Sequence, residues 1–421
     1  MDDRSGGRRM ASEGVEGPGT AQGRAAGTGT AGAAGSNTVA NTGTPAGPAA
    51  PGADTVAPTD TLAPTDTDTL GLRAARRRTV AWCVGLAAVL VVTLVVGVGA
   101  GPVSVAPGDS ASILWSHLTG LVTGRSGVAA GVRGDTIIWT IRVPRVVLGA
   151  AVGAGLALTG AVMQTVVRNI LADPYILGVN SGASVGAAAS IVLGIGAGLG
   201  DYALQGSAFV GAFLASVLVF TVARSAGRLT STRLLMAGVA VGYALSAGTS
   251  FLIFASDDAE SARSVMFWLL GSLALASWSG VLAVTVAVVV LAAVVLTVLG
   301  RRLDALAVGD DTALSLGVHP ERFRMGLLVV VCLLVGVVVA MAGSIGFVGL
   351  VVPHLARRAV GGAHRAVLPV SALMGAVLLV WADIAARTLL APQEIPIGVI
   401  TAIVGAPFLL LLVRRMRTVE G

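Results

Sequence analysis

The chain has 421 residues, of which 55% are hydrophobic and only 12% are charged, and its mean hydropathy is +0.86. A water-soluble domain carries about 25% charged residues, so this composition excludes an ordinary soluble protein and predicts an integral membrane protein. All 28 basic residues are arginine. Because a Walker A loop needs a lysine to reach the phosphates of ATP, the chain cannot hydrolyse ATP by that chemistry.

The distribution of charged and metal-binding residues narrows the function further. The net charge of +6 does not indicate nucleic-acid binding, because the arginines lie singly or in short clusters between apolar runs and only 4% of residues are aromatic. Cys83 and Cys332 lie in separate apolar runs, which gives neither a disulfide framework nor a zinc-binding spacing. We therefore expect no cofactor, no metal site and no nucleic-acid partner.

Residues 1–72 differ in composition from the rest of the chain. They are rich in Gly, Ala, Thr and Pro, contain near-repeats at 57–61 and 63–67, and have few large apolar side chains. Such a segment cannot bury enough surface to offset its ordering entropy, so it is predicted to be a disordered, low-complexity cytoplasmic tail. It is not a signal peptide, since no apolar run follows its first arginines. A regulatory role and a start codon assigned too early both remain open.

From Arg73 onward, apolar runs alternate with short polar breaks. A helix needs roughly 20 apolar residues to cross a bilayer, and we predict one all-α membrane domain over 73–421 with about ten transmembrane helices. The eighth is too short to span alone and contains Pro353, so we expect it to pack against protein. The predicted spans are Val80–Ala100, Val146–Val167, Ala183–Leu199, Ala208–Val222, Leu234–Phe254, Val281–Leu299, Met325–Ala342, Ile345–Leu355, Ala366–Ala386 and Ile395–Val413.

The positions of the arginines support ten spans with both chain ends in the cytoplasm. Cytoplasmic loops carry the arginine excess, and on this topology only six of the 28 arginines are outside, four are in the tail and the other eighteen are in inner loops. If the number of spans were wrong by one, the arginine excess would no longer fall on one side of the membrane. The outer arginines are Arg125, Arg133, Arg142, Arg145, Arg263 and Arg387, and those of the tail are Arg4, Arg8, Arg9 and Arg24.

Glycines four residues apart recur inside the predicted spans and indicate that the helices pack closely. A glycine on every turn of one helix face lets a neighbouring backbone approach. The pattern therefore predicts a compact multi-helix bundle. The examples are Gly149/Gly153, Gly178/Gly182/Gly186 and Gly238/Gly242.

Two stretches carry a more specific signal than hydropathy. The first covers 142–184 and reads RVPR at its start, GAVMQ at 160–164 and RNILADPYILGVNSGAS at 168–184. The second reads GSIGFVGLVVPHLAR at 343–357 and is followed by ADIAAR at 382–387 and IPIGVIT at 395–401. Together they resemble the permease family of type II ABC importers for iron–siderophores, haem and vitamin B12, and the resemblance runs from about Val80 to Arg415.

This resemblance implies a transport subunit rather than an enzyme. In such importers two ten-helix permeases, identical or paralogous, pair around one central pathway in the cytoplasmic membrane. Two separate ATPase subunits bind below them and an extracytoplasmic substrate-binding protein docks above. The implied function is ATP-driven import of an iron–siderophore complex, with haem or cobalamin as other cargoes.

Two other functional classes were weighed. An ion-coupled secondary transporter commonly has carboxylates and broken helices at the middle of the membrane, and here only Asp383 lies well inside an apolar run. Because Arg387 follows it by four residues, we favour a local ion pair for Asp383. A membrane enzyme is disfavoured, since the sequence contains no nucleophile–base or metal-ligand constellation.

The resemblance implies that Arg142, Arg145 and Arg387 dock the binding protein by pairing with its glutamates. Guanidinium groups bind carboxylates in a bidentate manner, and Arg142 and Arg145 are three apart, which places them on one helix face. The alternative is that these arginines anchor helix ends at the headgroups, or that Arg387 pairs only with Asp383.

Four residues at the cytoplasmic ends of the second and fourth spans are candidates for a cytoplasmic gate. The resemblance implies that Asn169, Leu171, Ser231 and Thr232 narrow the pathway at its inner mouth. The alternative is ordinary helix capping, a role for which Ser, Thr and Asn are all suited.

The inner loop from Arg301 to Arg324 is predicted to contain a short helix, with Asp311 or Thr312 as its N-cap and Gly317 at its end. A short capped helix suits docking into a partner's groove. The resemblance implies that this loop contacts the ATPase, through Ala313, Leu314, Ser315, Leu316 and Gly317. The alternative is a loop helix that rests on the lipid surface.

Overall fold

A computed structural model of the chain describes residues 71–417, except 104, 124–133 and 226–229. The predicted tail, up to residue 70, lies outside the described residues. Within the described part the protein contains fourteen α-helices and no strand, which confirms the predicted fold class. The helices are α1 (Leu72–Gly99), α2 (Pro107–Thr123), α3 (Val143–Val167), α4 (Val179–Leu193), α5 (Ala203–Ser225), α6 (Ser231–Phe254), α7 (Ala259–Leu269), α8 (Gly280–Val298), α9 (Gly300–Val308), α10 (Asp310–Ser315), α11 (Pro320–Ala342), α12 (Val348–Val360), α13 (His364–Thr388) and α14 (Ile397–Arg417).

Ten of these helices correspond in chain order to the ten predicted spans. Seven are long and apolar enough to cross a membrane among the described residues, namely α1, α3 with the π-helical turn Thr136–Arg142 before it, α5, α6, α8, α11 and α13. The apolar helices α4 and α14 are shorter. The third predicted span, which corresponds to α4, was placed too far along the chain at its end. Helix α4 ends at Leu193 rather than at Leu199, because Gly194 and Gly196 both adopt left-handed φ angles.

The short helix α12 lies inside the bundle, as predicted for the eighth span. Most of its residues, including Pro353, are buried. Gly160 of α3 faces it, and a Cβ atom on Gly160 would overlap the carbonyl group of Gly349. The same kind of backbone contact joins Gly182 of α4 to α5. Close glycine packing is therefore confirmed at these helix crossings.

Helix α3 is the centre of the domain. Nearly all of its residues are buried, and α8, α11, α12 and α13 pack around it. A side chain near either end of α3 can therefore reach several other elements, and the polar groups of the protein concentrate at these two ends.

The connections contain helices that the sequence patterns missed. Helix α2 lies in the connection between α1 and α3, where no helix was predicted, and α9 directly follows α8. The helix predicted near residue 312 exists as α10, but it begins at Asp310 after Gly309, so the N-cap assignment to Asp311 or Thr312 was wrong. Gly317 follows its end with a φ of 75°, consistent with the predicted stop.

Candidate functional site: both ends of helix α3

We call the N-terminal end of α3 its outer end and the C-terminal end its inner end, following the predicted topology. The outer end contains a buried ion-pair cluster. Asp383 of α13 is 1% exposed. Its Oδ1 atom accepts a hydrogen bond from Arg145 Nε at 2.9 Å, and its Oδ2 atom lies 2.9 Å from Arg387 Nε. The other end of the Arg145 guanidinium donates to both carboxylate oxygens of Glu394, at 2.9 and 3.0 Å. The predicted Asp383–Arg387 pair is thus confirmed, and Arg145 joins it from a position 238 residues away.

Arg142 is buried beside this cluster but uses different partners. Its Nη1 atom donates to the carbonyl oxygens of Val98 and Gly99 at 3.0 and 2.9 Å, and its Nη2 atom donates to Val103 O at 2.5 Å. These carbonyls belong to the C-terminal end of α1 and the linker after it. Arg142 therefore neutralises orphan carbonyls at a helix C-terminus, where a positive charge is favoured.

The three predicted docking arginines converge on one small cavity. Arg142, Arg145 and Arg387 line a space of about 180 Å³ together with Glu394 and apolar residues. Arg145 and Glu394 also border a larger cavity of about 800 Å³ at the outer end, beside Glu260 and Arg263 of α7. The structure thus brings the three arginines together, while engaging each of them in internal bonds.

The inner end of α3 carries a second, more exposed set of ion pairs. The carboxylate of Asp310, the first residue of α10, accepts hydrogen bonds from Arg324 Nη1 and Nη2 at 3.0 and 2.8 Å and from Arg168 Nη2. Partial burial raises the pKa of Asp310, but the hydrogen bonds and charges of Arg324 and Arg168 outweigh this effect and hold the pKa below its usual value. The Asp310 carboxylate is therefore ionised at neutral pH.

Arg168 reaches α10 from an unusual backbone conformation. It follows the last residue of α3 with φ 54° and ψ 39°, in the left-handed region that non-glycine residues rarely adopt. Its Nε and Nη2 atoms also donate to Leu306 O of α9, at 3.3 and 3.0 Å. One side chain therefore links the end of α3 to both α9 and α10.

A polar chain that is partly exposed at Asp304 and buried at His364 and Thr165 runs from α9 through α13 to the same end of α3. Asp304 Oδ1 lies 2.6 Å from His364 Nδ1 and also accepts from the His364 backbone N–H at 2.9 Å. His364 Nε2 lies 2.6 Å from Thr165 Oγ1. Burial raises the pKa of Asp304, but the bonds from His364 and the charge of nearby Arg365 more than offset it, so that this pKa is lowered.

The predicted gate residues lie at the inner ends of α3 and α6. Asn169 is exposed and its Oδ1 atom accepts from the Leu171 backbone N–H at 2.9 Å, which closes a local turn. Thr232 is exposed on the first turn of α6, and Ser231 is the first residue of that helix. The residue that caps α6 is Thr230, whose hydroxyl accepts from the Arg233 N–H.

The predicted coupling residues divide into one buried residue and an exposed group. Ala313, a residue of α10, is fully buried. Leu314 and Leu316 are 51% and 66% exposed, and Ser315 and Gly317 are exposed beside them. Helix α10 and the residue after it therefore present two apolar side chains that the described part of the chain covers only in part.

The two sequence stretches that carried the family resemblance contact each other. Tyr175, in the turn after α3, donates its hydroxyl to Ile345 O at 2.9 Å and accepts from the Ile345 N–H at 3.1 Å. Gln164 of α3 donates weakly to the carbonyls of Gly349 and Leu350 and accepts from Arg357. The motifs thus form one packed unit around the inner half of α3.

Comparison with known proteins agrees with this arrangement. The profile of the FecCD transport family matches residues 75–415. The chain belongs to the FecCD transport family. This family comprises permease subunits of type II ABC importers, so the resemblance inferred from the two stretches is confirmed. Its members are multi-pass proteins of the cytoplasmic membrane that dimerise and work with ATPase and substrate-binding partners.

Individual FecCD relatives match over most of the domain. The chain is 39% identical over 370 residues to the cobalamin import system permease of Halobacterium salinarum, covering 82% of this chain and 98% of that protein. It is 41% identical to the hemin transport system permease of Yersinia pestis, over 66% of this chain and 84% of that one. A metal-chelate type ABC transporter solved in an inward-facing conformation aligns with a TM-score of 0.68 at 33% identity, covering 79% of this chain and 98% of that chain.

Sequence reasoning missed most of the polar network of this FecCD permease. Glu394, Asp304, His364 and Thr165 were not singled out, because each pairs with a residue far away in the chain. The one available signal was the presence of Asp304 and Asp310 in an inner loop otherwise rich in arginine. Carboxylates among arginines favour ion pairs, but the sequence does not say which residues form them.

Proposed function

We propose that this chain is the membrane-spanning subunit of an ATP-driven importer for a metal-bearing chelate, with an iron–siderophore complex as the first cargo to test. The observation that carries the proposal is the match to the FecCD family over residues 75–415, which includes the polar ends of α3 and the exposed α10. ATP hydrolysis is assigned to a separate subunit, in keeping with a chain that contains no lysine.

The proposed class of cargo follows from the chemistry of the cargoes that the relatives are named for. The two relatives named above are a cobalamin permease and a hemin permease, and their identities to this chain, 39% and 41%, are nearly equal. Both cargoes are metal ions held in a large organic ligand, as an iron–siderophore is. We therefore keep haem and cobalamin as the alternative cargoes.

Two ATPase subunits are proposed to bind at α10, one to each permease of a homodimer or a paralogous heterodimer. The exposed Leu314 and Leu316 offer the apolar contact that a groove-bound helix needs, and Ser315 and Gly317 lie beside them. The buried side chain of Ala313 holds α10 against the rest of the permease. This orientation requires the α10 side, and with it both chain termini, to face the cytoplasm.

The binding protein is proposed to dock at the outer arginine cluster. Arg142, Arg145 and Arg387 surround a cavity of about 180 Å³, which is large enough to admit a carboxylate group. An incoming glutamate would compete with Glu394, whose side chain is 39% exposed, more readily than with the buried Asp383. Docking would thus exchange a partner of Arg145.

The inner mouth of the pathway is proposed to lie at Asn169, Leu171, Ser231 and Thr232. These residues belong to the inner ends of α3 and α6, and the turn Pro174–Leu177 that follows α3 packs on α6 at Gly238. A movement of the α3 end would therefore be passed to α6.

The alternative of an ion-coupled secondary transporter depended on Asp383 as a proton carrier. That carboxylate lies between the guanidinium groups of Arg145 and Arg387, 2.9 Å from the Nε atom of each. The geometry favours a structural ion pair.

The proposal is tested by uptake into proteoliposomes that contain the permease with its cognate ATPase and binding protein. The probes are ferric desferrioxamine B, haem and cyanocobalamin, each radiolabelled. We expect ATP-dependent uptake of one of them, and its loss when the Walker A lysine of the separate ATPase is replaced by alanine. Uptake that continues with the inactive ATPase, or that follows an imposed ion gradient instead, would overturn the proposal.

A further inference from the structure

The polar chain Asp304–His364–Thr165 connects three elements that are distant in sequence. Asp304 belongs to α9, His364 is the first residue of α13, and Thr165 lies in the last turn of α3. Both contacts to the His364 ring measure 2.6 Å. His364 and Thr165 are each only 6% exposed, so the contact between them is shielded from water, and a hydrogen bond in such surroundings is stronger than in water. The Asp304 side chain is 39% exposed, so its contact with His364 is only partly shielded.

The helix at one end of this chain is the base of the proposed ATPase-binding segment. Helix α9 is joined to α10 through Gly309 alone. Leu303 and Leu306 hold α9 against the bundle and are fully buried, and Gly300 is packed against Arg365 so closely that a Cβ atom would come within 2.7 Å of Arg365 Cγ. A displacement of α10 would therefore act on α9 before it reaches the rest of the bundle.

The helix turn at the other end of the chain carries the proposed gate. Thr165 is four residues before Asn169 and six before Leu171. Arg168, three residues after Thr165, binds Leu306 O of α9 and the carboxylate of Asp310. Two separate polar links thus connect the α9–α10 segment to one turn of α3, a buried one through His364 and a partly exposed one through Arg168.

We propose that His364 is a positioning residue that transmits displacement of α9 to the inner end of α3, with Asp304 and Thr165 as its two contacts. Its ring is held on the Asp304 side by the side-chain contact and by the bond from its own backbone N–H. It meets Thr165 through the opposite ring nitrogen. This inference rests on the proposed function, since it assigns to one side chain the step between ATPase movement and gate movement.

Helix α3 provides a matched control for the test. Thr159 is fully buried on the same helix, and its hydroxyl donates only within α3, to Gly155 O and Leu156 O at 2.9 Å. Thr165 likewise donates within α3, to Ala161 O at 2.9 Å, and additionally contacts His364. Thr165→Val and Thr159→Val therefore remove the same helix bond, whereas only Thr165→Val removes the relay contact.

The experiment uses the complete importer in proteoliposomes with whichever of ferric desferrioxamine B, haem or cyanocobalamin the wild type imports. We expect Thr165→Val to lower the maximal uptake rate and the cargo imported per ATP about fivefold, the effect of one lost hydrogen bond. The KM for the loaded binding protein should not change. Thr159→Val and Thr165→Ser should stay within about twofold of wild type.

A double-mutant cycle identifies His364 as the connector. Asp304 and Thr165 contact opposite nitrogens of one ring, so Asp304→Asn and Thr165→Val should be non-additive in uptake per ATP. Equal effects of Thr165→Val and Thr159→Val, or strict additivity of Asp304→Asn with Thr165→Val, would overturn the relay in an importer that still works. A wild type that imports none of the three probes with ATP would overturn the proposed function and the relay with it.

Discussion

The two ends of α3 both use arginine and carboxylate groups, but they do so in opposite ways. At the outer end Arg145, Arg387 and Asp383 are buried together and bond to one another. At the inner end Asp310 and Arg168 are partly exposed, with side-chain exposures of 45% and 37%. Removing one partner of a buried ion pair is strongly destabilising, whereas an exposed pair contributes about 0–1 kcal/mol. The outer end therefore resembles a fixed clamp and the inner end a contact that can be exchanged.

This difference suits a protein in which one end of a central helix must stay in place while the other moves. The outer cluster joins α1, α3, α13 and the segment before α14, so that the helix ends around the outer cavity hold their spacing. The inner contacts bind α3 to α9 and α10, the segment proposed to follow the ATPase. Strong buried charges at that end would resist each displacement, whereas hydrated pairs can break and re-form.

The largest expected effect comes from reversing a charge in the outer clamp. Arg145→Glu would place a third carboxylate beside Asp383 and Glu394, with Arg387 as the remaining close guanidinium of the ion-pair cluster. We expect the free energy of unfolding to fall by about 3–5 kcal/mol, the usual effect of an unpaired buried charge, and the yield of folded, detergent-extracted protein to fall with it. Thermal unfolding and size-exclusion profiles measure this.

The matched control for that variant is Arg263→Glu on α7. Arg263 is exposed and pairs with Glu260 one turn before it, so reversal should change stability by only about 0.5 kcal/mol. If Arg145→Glu folded as well as Arg263→Glu and lost only its binding-protein affinity, the clamp would be wrong and a purely docking role for Arg145 would be favoured.

The comparison also shows which features of the structure were accessible from sequence. Hydropathy predicted the ten spans in order, including the buried α12, because each depends on a local run of apolar residues. The pair Asp383–Arg387 was predicted for the same reason, since four residues make one helix turn. Arg145 pairs with Asp383 across 238 residues, and no local pattern encodes a contact at that separation.

The same limit explains the errors in the loops. Helix α2 was missed because its apolar stretch, 113–122, is too short to cross a bilayer, although Pro107 at its first position is typical of a helix start. The predicted docking arginines were correctly grouped at one place, but their burial was not foreseen, because arginines in a short outer loop are normally hydrated. Burial depends on the packing of α1 and α13 over the start of α3, which is a tertiary property.

A smaller effect is expected at the inner end when Arg168 is replaced. Arg168→Gly removes the links to Asp310 and Leu306, but it also relieves a left-handed backbone conformation at φ 54°, which glycine adopts about 1 kcal/mol more easily. We expect thermal stability to stay within about 1 kcal/mol of wild type, while cargo imported per ATP falls. Arg168→Ala should be about 1 kcal/mol less stable than Arg168→Gly.

These outcomes are measured by thermal unfolding of the purified variants and by the uptake assay in parallel. Equal stability of the alanine and glycine variants would contradict the role of the backbone conformation. Unchanged import per ATP in both would mean that the Arg168 link takes no part in transmission, and the inner end would then be only a second structural contact.

The smallest expected effect is the pH dependence of the exposed inner contact. The folded-state pKa of Asp310 is lowered by Arg324 and Arg168, so the unfolded chain takes up the proton first as pH falls from about 4, the usual aspartate pKa. Wild type should therefore exceed Asp310→Asn in stability by up to about 1 kcal/mol at neutral pH. The difference should stay constant down to about pH 5 and disappear as pH falls through the folded pKa.

Thermal unfolding between pH 7 and 3 measures this difference in stability, with Asp311→Asn as the neighbouring control that forms none of these ion pairs. A difference that grew on acidification would reverse the sign of the linkage, and Asp310 would then be held in place by something other than its two arginines.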